Sequence, residues 1–347
     1  MTNHISPRTF PVQIKFDWLE YKGEPFETDR TELIGARVIL IKGNGVIIGN
    51  RLFAQTTYNK LDLKKELKSF VRNIIKTKII IERNVFILTD IWSTGPYHFY
   101  VDMLSKIVEL RALFDWNLKN IKILVFADSF THKLIIPLFK DLGFENVTIL
   151  KLKRSEQYVF MGNNYFVTKP HTMGTNNPRI IPKVYELIHD NLGKYRNVQD
   201  ANFYQGIYYY RTGRYRKVVN DQEIIRELTA MGFYCTSFDE LSYTDAFRLM
   251  QQTRLFVGIH GGGLTNMMFL PPDSTVIEIK NDNPNPNSHC YWHLARSLKL
   301  DYTMFVADTI GESNLLEGKG CDLKVNCDKL KELIAEKSVV HQNINQI

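Results

Sequence analysis

The chain has 347 residues, 44% of them hydrophobic and 12% aromatic, which suffices for about two packed domains. No run approaches the roughly 20 apolar residues that span a bilayer, and residues 1–16 lack the apolar core of a secretory signal. The four cysteines (Cys235, Cys290, Cys321, Cys327) form neither a disulfide framework nor a Cys-x-x-Cys zinc pair, so a cytoplasmic protein of a reducing compartment is expected. The net charge of +7 suits an anionic partner such as a nucleotide, a lipid surface or a nucleic acid, and equally a plain basic surface.

Residues 36–58 alternate apolar runs with Gly43-Asn44-Gly45 and Gly49-Asn50, a β-hairpin pattern. Lys60, Lys64, Lys65 and Lys68 follow in a helical stretch, either a solvated face or a contact for membrane headgroups. From residue 85 strands and helices alternate: strand 85–88, helix 97–114, strand 121–126, helix 131–142, strand 147–150. Residues 170–182 are rich in chain breakers and read as a linker before a helix over 181–192. A second series follows, with strands at 206–211, 233–238, 255–259, 275–279 and 301–306. Helices are expected between them at 221–231, 242–252, 263–269 and 288–298, and a last one at 328–337. Such alternation predicts parallel sheets covered on both faces, with ligands bound at the carboxyl ends of strands.

At one such end stands His260-Gly261-Gly262-Gly263-Leu264-Thr265-Asn266. Glycines let backbone approach a ligand closely, and the first amides of a following helix are free donors at its positive end. A phosphate is the natural occupant, although a tight turn with a capping histidine would use the same residues. Arg211, Arg214, Arg216 and Lys217 crowd the end of the strand before them, as a diphosphate clamp or a solvated loop. Glu278 lies inside an apolar strand run and therefore needs a partner, either sugar hydroxyls or a salt bridge.

His98 and Asp102 are four residues apart at a helix start, so they share a face. An imidazole oriented by a carboxylate can act as general base, or the carboxylate can take the proton itself; a packed histidine beside a dipole-complementing acid is the plainer reading. The chain has no Asp-x-Asp for a divalent metal and no Gly-x-Ser-x-Gly nucleophile elbow. It also lacks a Gly-x-x-x-x-Gly-Lys phosphate loop.

The segment from Phe256 through His260-Gly261-Gly262-Gly263-Leu264-Thr265-Asn266 and Pro271-Pro272 to Glu278 resembles the C-terminal signature of family-61 glycosyltransferases. Pro96-Tyr97-His98-Phe99-Tyr100-Val101-Asp102, Tyr210-Arg211 with Arg216 and Asn220, and Glu240-Leu241-Ser242 are similar to further family segments in the family's order. Gly95-Pro96 stands where many relatives carry Asn and an aromatic residue, Gly262 where Ala is usual, and Asp273 where Gly is usual. The resemblance does not extend to residues 1–85.

The resemblance implies an α/β protein of GT-B type, two Rossmann-like domains facing across a cleft. Its expected divisions are 1–175 on the acceptor side, 176–325 binding the nucleotide sugar, and a tail over 326–347. It further implies inverting, metal-independent transfer of a sugar from a nucleoside diphosphate, with UDP the expected carrier, to a hydroxyl of a glycan or glycolipid in surface polysaccharide synthesis. His98 or Asp102 would be the base. Arg211, Arg216, His260, Gly261, Gly262, Gly263, Leu264, Thr265 and Asn266 would hold the nucleotide sugar, and Glu278 the ribose. No cofactor, metal or nucleic-acid partner is expected in that scheme, and membrane contact would be peripheral, at the inner face. Two other classes share the anion turn: a non-catalytic basic nucleotide- or nucleic-acid-binding module, and another GT-B chemistry such as a nucleotide-sugar epimerase or hydrolase.

Overall fold

A computed structural model describes residues 9–10, 13–15, 20–22, 26–27, 33–42, 45–48, 51–54, 68, 71–72, 77–81, 85–88, 95–113, 122–126, 137–143, 148–152, 157–167, 176–196, 204–213, 216–239, 241–281, 289–311 and 321–344. The chain forms two compact units: Met1–Phe10 with Pro25–Val184, and Pro11–Glu24 with Tyr185–Ile347. The division falls beyond the breaker-rich stretch, inside the helix over 181–192. Lys60, Lys64, Lys65, Arg214 and Glu240 lie outside the described residues.

The N-terminal strands β1 (Thr9–Phe10) and β4 (Phe26–Glu27) pair with each other, as do β2 (Gln13–Lys15) and β3 (Glu20–Lys22). The first unit then builds an eight-stranded mixed sheet. Strands β5 (Leu33–Lys42), β6 (Gly45–Ile48) and β7 (Arg51–Ala54) make the expected antiparallel meander. Strands β8 (Thr77–Ile81), β9 (Val85–Ile87), β10 (Lys122–Phe126) and β11 (Thr148–Leu152) supply parallel pairings. Between the two sets runs β12 (Gln157–Val167), antiparallel to β5 and parallel to β8 and β9. A mostly parallel sheet was expected here; β12 makes it mixed.

Two strands of this sheet, β8 and β12, escaped the sequence pattern. For β12 the reason is a bulge: the register shifts between Met161 and Asn164, and Gly162 takes φ +126°. Gly-Asn-Asn in mid-strand reads as a loop, but here it is the extra residue of a continuing strand. Against this sheet's unit packs a π-helical turn, His98–Met103, running into α1 (Leu104–Leu113). Phe99, Val101, Leu104 and Ile107 are buried there. The buried Lys106 ammonium on α1 donates to the Leu88 carbonyl at 3.0 Å, tying the helix to the end of β9.

The second unit begins in α2 (Ile181–Leu192) and is a five-stranded, wholly parallel sheet. Its strands are β13 (Gly206–Tyr209), β14 (Phe233–Thr236), β15 (Leu255–Ile259), β16 (Thr275–Lys280) and β17 (Asp301–Val306), in spatial order β14-β13-β15-β16-β17. Helices α3 (Asp221–Ala230), α4 (Tyr243–Met250) and α5 (Cys290–Ser297) fill the crossovers, and a 3₁₀ helix, Gly262–Phe269, follows β15. Every residue of β13, β15 and β16 is buried, as continuous apolar runs covered on both faces require. Each fully buried Phe, Ile or Val contributes about 1.5–3 kcal/mol over exposure.

Local signals agree with these bounds. Ser242 caps α4, its hydroxyl accepting from the Asp245 amide at 3.1 Å. Beyond β17 an unanticipated antiparallel pair, β18 (Asp308–Ile310) and β19 (Asp322–Lys324), precedes α6 (Cys327–Ile344). No helix among the described residues is long and apolar enough to cross a membrane.

Candidate active site

Numbered within the second unit, the strand order is 2-1-3-4-5. The chain leaving β13 turns to one side, toward β14, and the chain leaving β15 turns to the other, toward β16. Open parallel sheets bind ligands at such a switch point, here beyond the carboxyl ends of β13 and β15. Arg211 lies two residues past the end of β13, and His260-Gly261 directly past β15; Tyr209 and Gly258 are register partners beneath them.

Gly261 sits at φ +153° and ψ −178°, backbone open essentially to glycine alone. A Cβ there would overlap the Arg211 guanidinium, which lies against the turn, and Arg211 Nη1 reaches the His260 carbonyl at 3.4 Å. A Cβ at Gly263 would overlap the Tyr209 ring. The glycines therefore admit a cation and an aromatic ring to the backbone itself. The Leu264 amide bonds the Gly261 carbonyl at 2.9 Å to start the 3₁₀ helix, and Asn266 Nδ2 donates to the Gly263 carbonyl at 2.8 Å. Leu264 and Thr265 turn into the core, so a ligand could meet them only through backbone.

A second cation stands close by. Arg216 holds φ +57° in the loop between β13 and α3. Burial, then the charge of Arg211, lowers its pKa, against the opposing influence of Tyr291 and Tyr209. Among the described residues no carboxylate pairs with Arg211 or Arg216. Two adjacent guanidinium groups without a counter-charge among the described residues, at a turn whose Gly263 amide donates to the Tyr209 hydroxyl, form a site that an anion would stabilise. The loop is braced at its base: the Tyr208 hydroxyl donates to Asp221 at 2.5 Å, and the Lys217 amide to Asp322 at 3.0 Å. The Val219 amide donates to the Leu323 carbonyl at 2.8 Å.

Glu278 needs a partner, ribose hydroxyls or a salt bridge on the sequence reading; its carboxylate is fully buried, one oxygen paired with His260 Nδ1 and the other accepting from the Tyr302 hydroxyl. Burial pushes this carboxyl up, but His260, Lys280 and Tyr302 together outweigh burial and hold it below the usual range. Tyr302, Lys280, Tyr209 and Tyr291 were not singled out from the sequence. Lys280 alone carried a signal, as a second charge in the run Thr275–Lys280.

In the first unit, His98 Nδ1 lies 2.7 Å from Asp102 Oδ2. The i→i+5 bond from the Leu104 amide to the Phe99 carbonyl marks the π turn, whose wider coil brings residues four apart nearly above one another. Asp102 is 3% exposed and His98 25%, so the carboxylate is sequestered while the imidazole keeps a face to solvent. An ionised carboxylate only accepts, which puts the proton on Nδ1 and leaves Nε2 with a lone pair. Among the described residues no group of three or more His, Cys, Asp or Glu side chains converges as metal ligands would.

Comparison with known proteins was informative in sequence. The profile of the family described as Glycosyltransferase 61 matches residues 97–277. EGF domain-specific O-linked N-acetylglucosamine transferase of Bos taurus is 32% identical over 97 residues, 26% of this chain and 18% of that protein. The Drosophila melanogaster enzyme of the same name is 34% identical over 99 residues, 27% and 18% of the two chains. The match thus spans under a fifth of these curated relatives. The crystal structure of the bacterial iron-containing dodecameric glycosyltransferase TibC from enterotoxigenic E. coli H10407 is similar at 13% identity and TM-score 0.35, over 89% of this chain and 86% of that one. At that score the likeness bears on neither arrangement nor chemistry.

Proposed function

Because this chain belongs to the glycosyltransferase 61 family, we propose that it moves a sugar from a nucleoside diphosphate, UDP in the simplest case, to an acceptor hydroxyl, with inversion and without a metal. The observation that carries the donor half is the Arg211 guanidinium laid on Gly261 at the switch point of a parallel sheet, with Arg216 beside it. The Gly261 and Gly262 amides, the two arginines and His260 hold the diphosphate, while the Gly263 amide is taken by the Tyr209 hydroxyl; Asn266 shapes the turn through the Gly263 carbonyl. As the bond from the anomeric carbon to the diphosphate oxygen breaks, its electron pair passes to that oxygen, where these donors stabilise the charge.

His98 Nε2 takes the proton of the acceptor hydroxyl, with Asp102 orienting the ring and stabilising the imidazolium. The oxygen so activated attacks the anomeric carbon opposite the leaving diphosphate. The GT-B arrangement, donor on the second unit and acceptor on the first, belongs to the same proposal. So does the acceptor class, a glycan or glycolipid of a surface polysaccharide such as a capsule, and a cytoplasmic site of action with peripheral contact at the inner membrane face. The relatives' name speaks of EGF domains, so an acceptor screen should include protein hydroxyls.

Calorimetry with UDP, UMP and uridine tests the donor site. UDP should bind tightest, and Arg211→Ala should weaken it about 10- to 100-fold, the worth of a charge-assisted pair. A dissociation constant unmoved by that substitution removes Arg211 from the site. Steeply salt-dependent binding with no preference for UDP would favour the basic nucleic-acid module instead. Product analysis with nucleotide sugars, with and without acceptors, separates transfer from epimerisation or hydrolysis.

A further inference from the structure

Resting on that reading of the glycine turn, we infer that Glu278 is a positioning residue that acts through His260, presenting the imidazole Nε2 to the diphosphate, and is not a contact for the sugar ring of the nucleoside. Three neighbouring strands carry the arrangement. His260 stands past the end of β15, Glu278 lies in β16 opposite Gly258 and Met304, and Tyr302 lies in β17. Both Glu278 oxygens are engaged, one by His260 and one by Tyr302, and the side chain has no exposed surface. A ligand hydroxyl cannot reach it without displacing the histidine.

The tautomer follows from the carboxylate. Held below its usual range, Glu278 is an acceptor only, so the shared proton resides on His260 Nδ1. Nε2 has no protein partner among the described residues, and the His260 side chain is 27% exposed. The ring is kept upright by Tyr291, edge to face at 5.3 Å between centroids. Arg211 donates to the carbonyl of this same residue at 3.4 Å, so His260 adjoins the cation cluster through its backbone. When His260 carries its second proton, Nε2–H is a charged donor for an anionic oxygen. The groups facing it divide by sign. Glu278 and Lys280 carry opposite charges beside it, His289 lies near, and Tyr302 and Tyr291 stay neutral. Glu278 is thus the carboxylate that fixes which nitrogen of His260 faces the glycine turn.

Two measurements decide it. In ¹⁵N NMR of the ligand-free full chain, neutral His260 should be protonated on Nδ1. In calorimetry, Glu278→Gln should weaken UDP about tenfold and leave uridine unchanged. The double variant with His260→Ala should bind UDP no more weakly than His260→Ala alone, because the two residues act as one unit. Uridine weakened as much as UDP, effects of the two substitutions that multiply, or a neutral His260 protonated on Nε2 would each overturn the inference while leaving the donor site standing. Should Glu278→Gln fail to fold, the wild-type spectrum still decides, since a neutral His260 protonated on Nε2 overturns it. A wild-type chain that binds no UDP overturns the donor-site reading itself, and with it any diphosphate role for Glu278.

Discussion

Asp102 and His98 meet at 2.7 Å within one π-helical turn, the acid buried and the imidazole half open. The turn therefore does the orienting that elsewhere requires two separate loops: the backbone that carries the histidine also carries its partner. His98→Ala and Asp102→Asn should each lower turnover by about two to four orders of magnitude, the usual worth of a positioned general base and its orienting acid. UDP affinity should stay within about threefold of wild type. Steady-state rates and calorimetry on the same preparations check this, and wild-type rates in both variants would remove the pair from the chemistry.

Gly261→Ala separates backbone strain from side-chain crowding. The atoms that a new methyl meets belong to the flexible end of Arg211, which can swing away. The stability cost is then that of a non-glycine residue at φ +153°, about 1–3 kcal/mol. Nucleotide affinity should fall by more than the stability change suggests, because Arg211 has left its place. Denaturant midpoints read the first effect and calorimetry the second.

Acid should weaken the second unit before it touches most carboxylates. His189 is buried, its Nε2 on the Met268 carbonyl at 3.0 Å and its Nδ1 facing Arg196 at 3.0 Å, stacked on Tyr185. Burial first, and Arg196 in addition, lower its pKa to about 4. A histidine lowered in the folded state binds its proton more readily when unfolded, so its contribution is complete above pH 6.5 and is lost as pH falls from 6.5 toward 4. The loss at pH 4.5 is about 2–3 kcal/mol. His289 and His293, also lowered to about 4 chiefly by burial, act in the same direction. Unfolding midpoints at pH 7 and 4.5 should differ less in His189→Gln than in wild type; equal differences would contradict the assignment.

Asp273→Gly should stabilise the chain by about 0.5–1 kcal/mol. Asp273 sits at φ +59°, in the left-handed region that costs a residue with a Cβ about 1–2 kcal/mol, less for Asp, and glycine gives some of this back through its freer unfolded chain. The position is where family members usually carry glycine, and the backbone angle supplies the physical reason. A thermal midpoint raised by a few degrees is the expected result.

Legibility in the sequence tracked how local the cause was. Strands β13, β15 and β16 are short apolar runs bounded by breakers, and their burial on both faces is visible in composition. The His98–Asp102 pair is a matter of four residues and one helical turn. Glu278 announced that it needed a partner, but the partners are 18 and 24 residues away and are fixed by which strands lie side by side and in what register. No local pattern contains that. The same holds for Tyr209, whose contact with Gly263 follows from β13 lying next to β15. Strand β12 was hidden for a different reason, since its bulge imitates a turn.

That strand also governs when the first sheet can form. Leu33 on β5 pairs with Val167, and Phe86 on β9 with Tyr165, so these early strands wait for β12 to leave the ribosome. Until then β5 can join only the β6–β7 meander, and its other long edge stays unpaired. Closing so large a loop is slow, and an open edge invites pairing with other chains. A nascent or truncated chain ending before Gln157 should consequently depend on chaperones and aggregate without them, whereas one extended a few residues past Val167 should not.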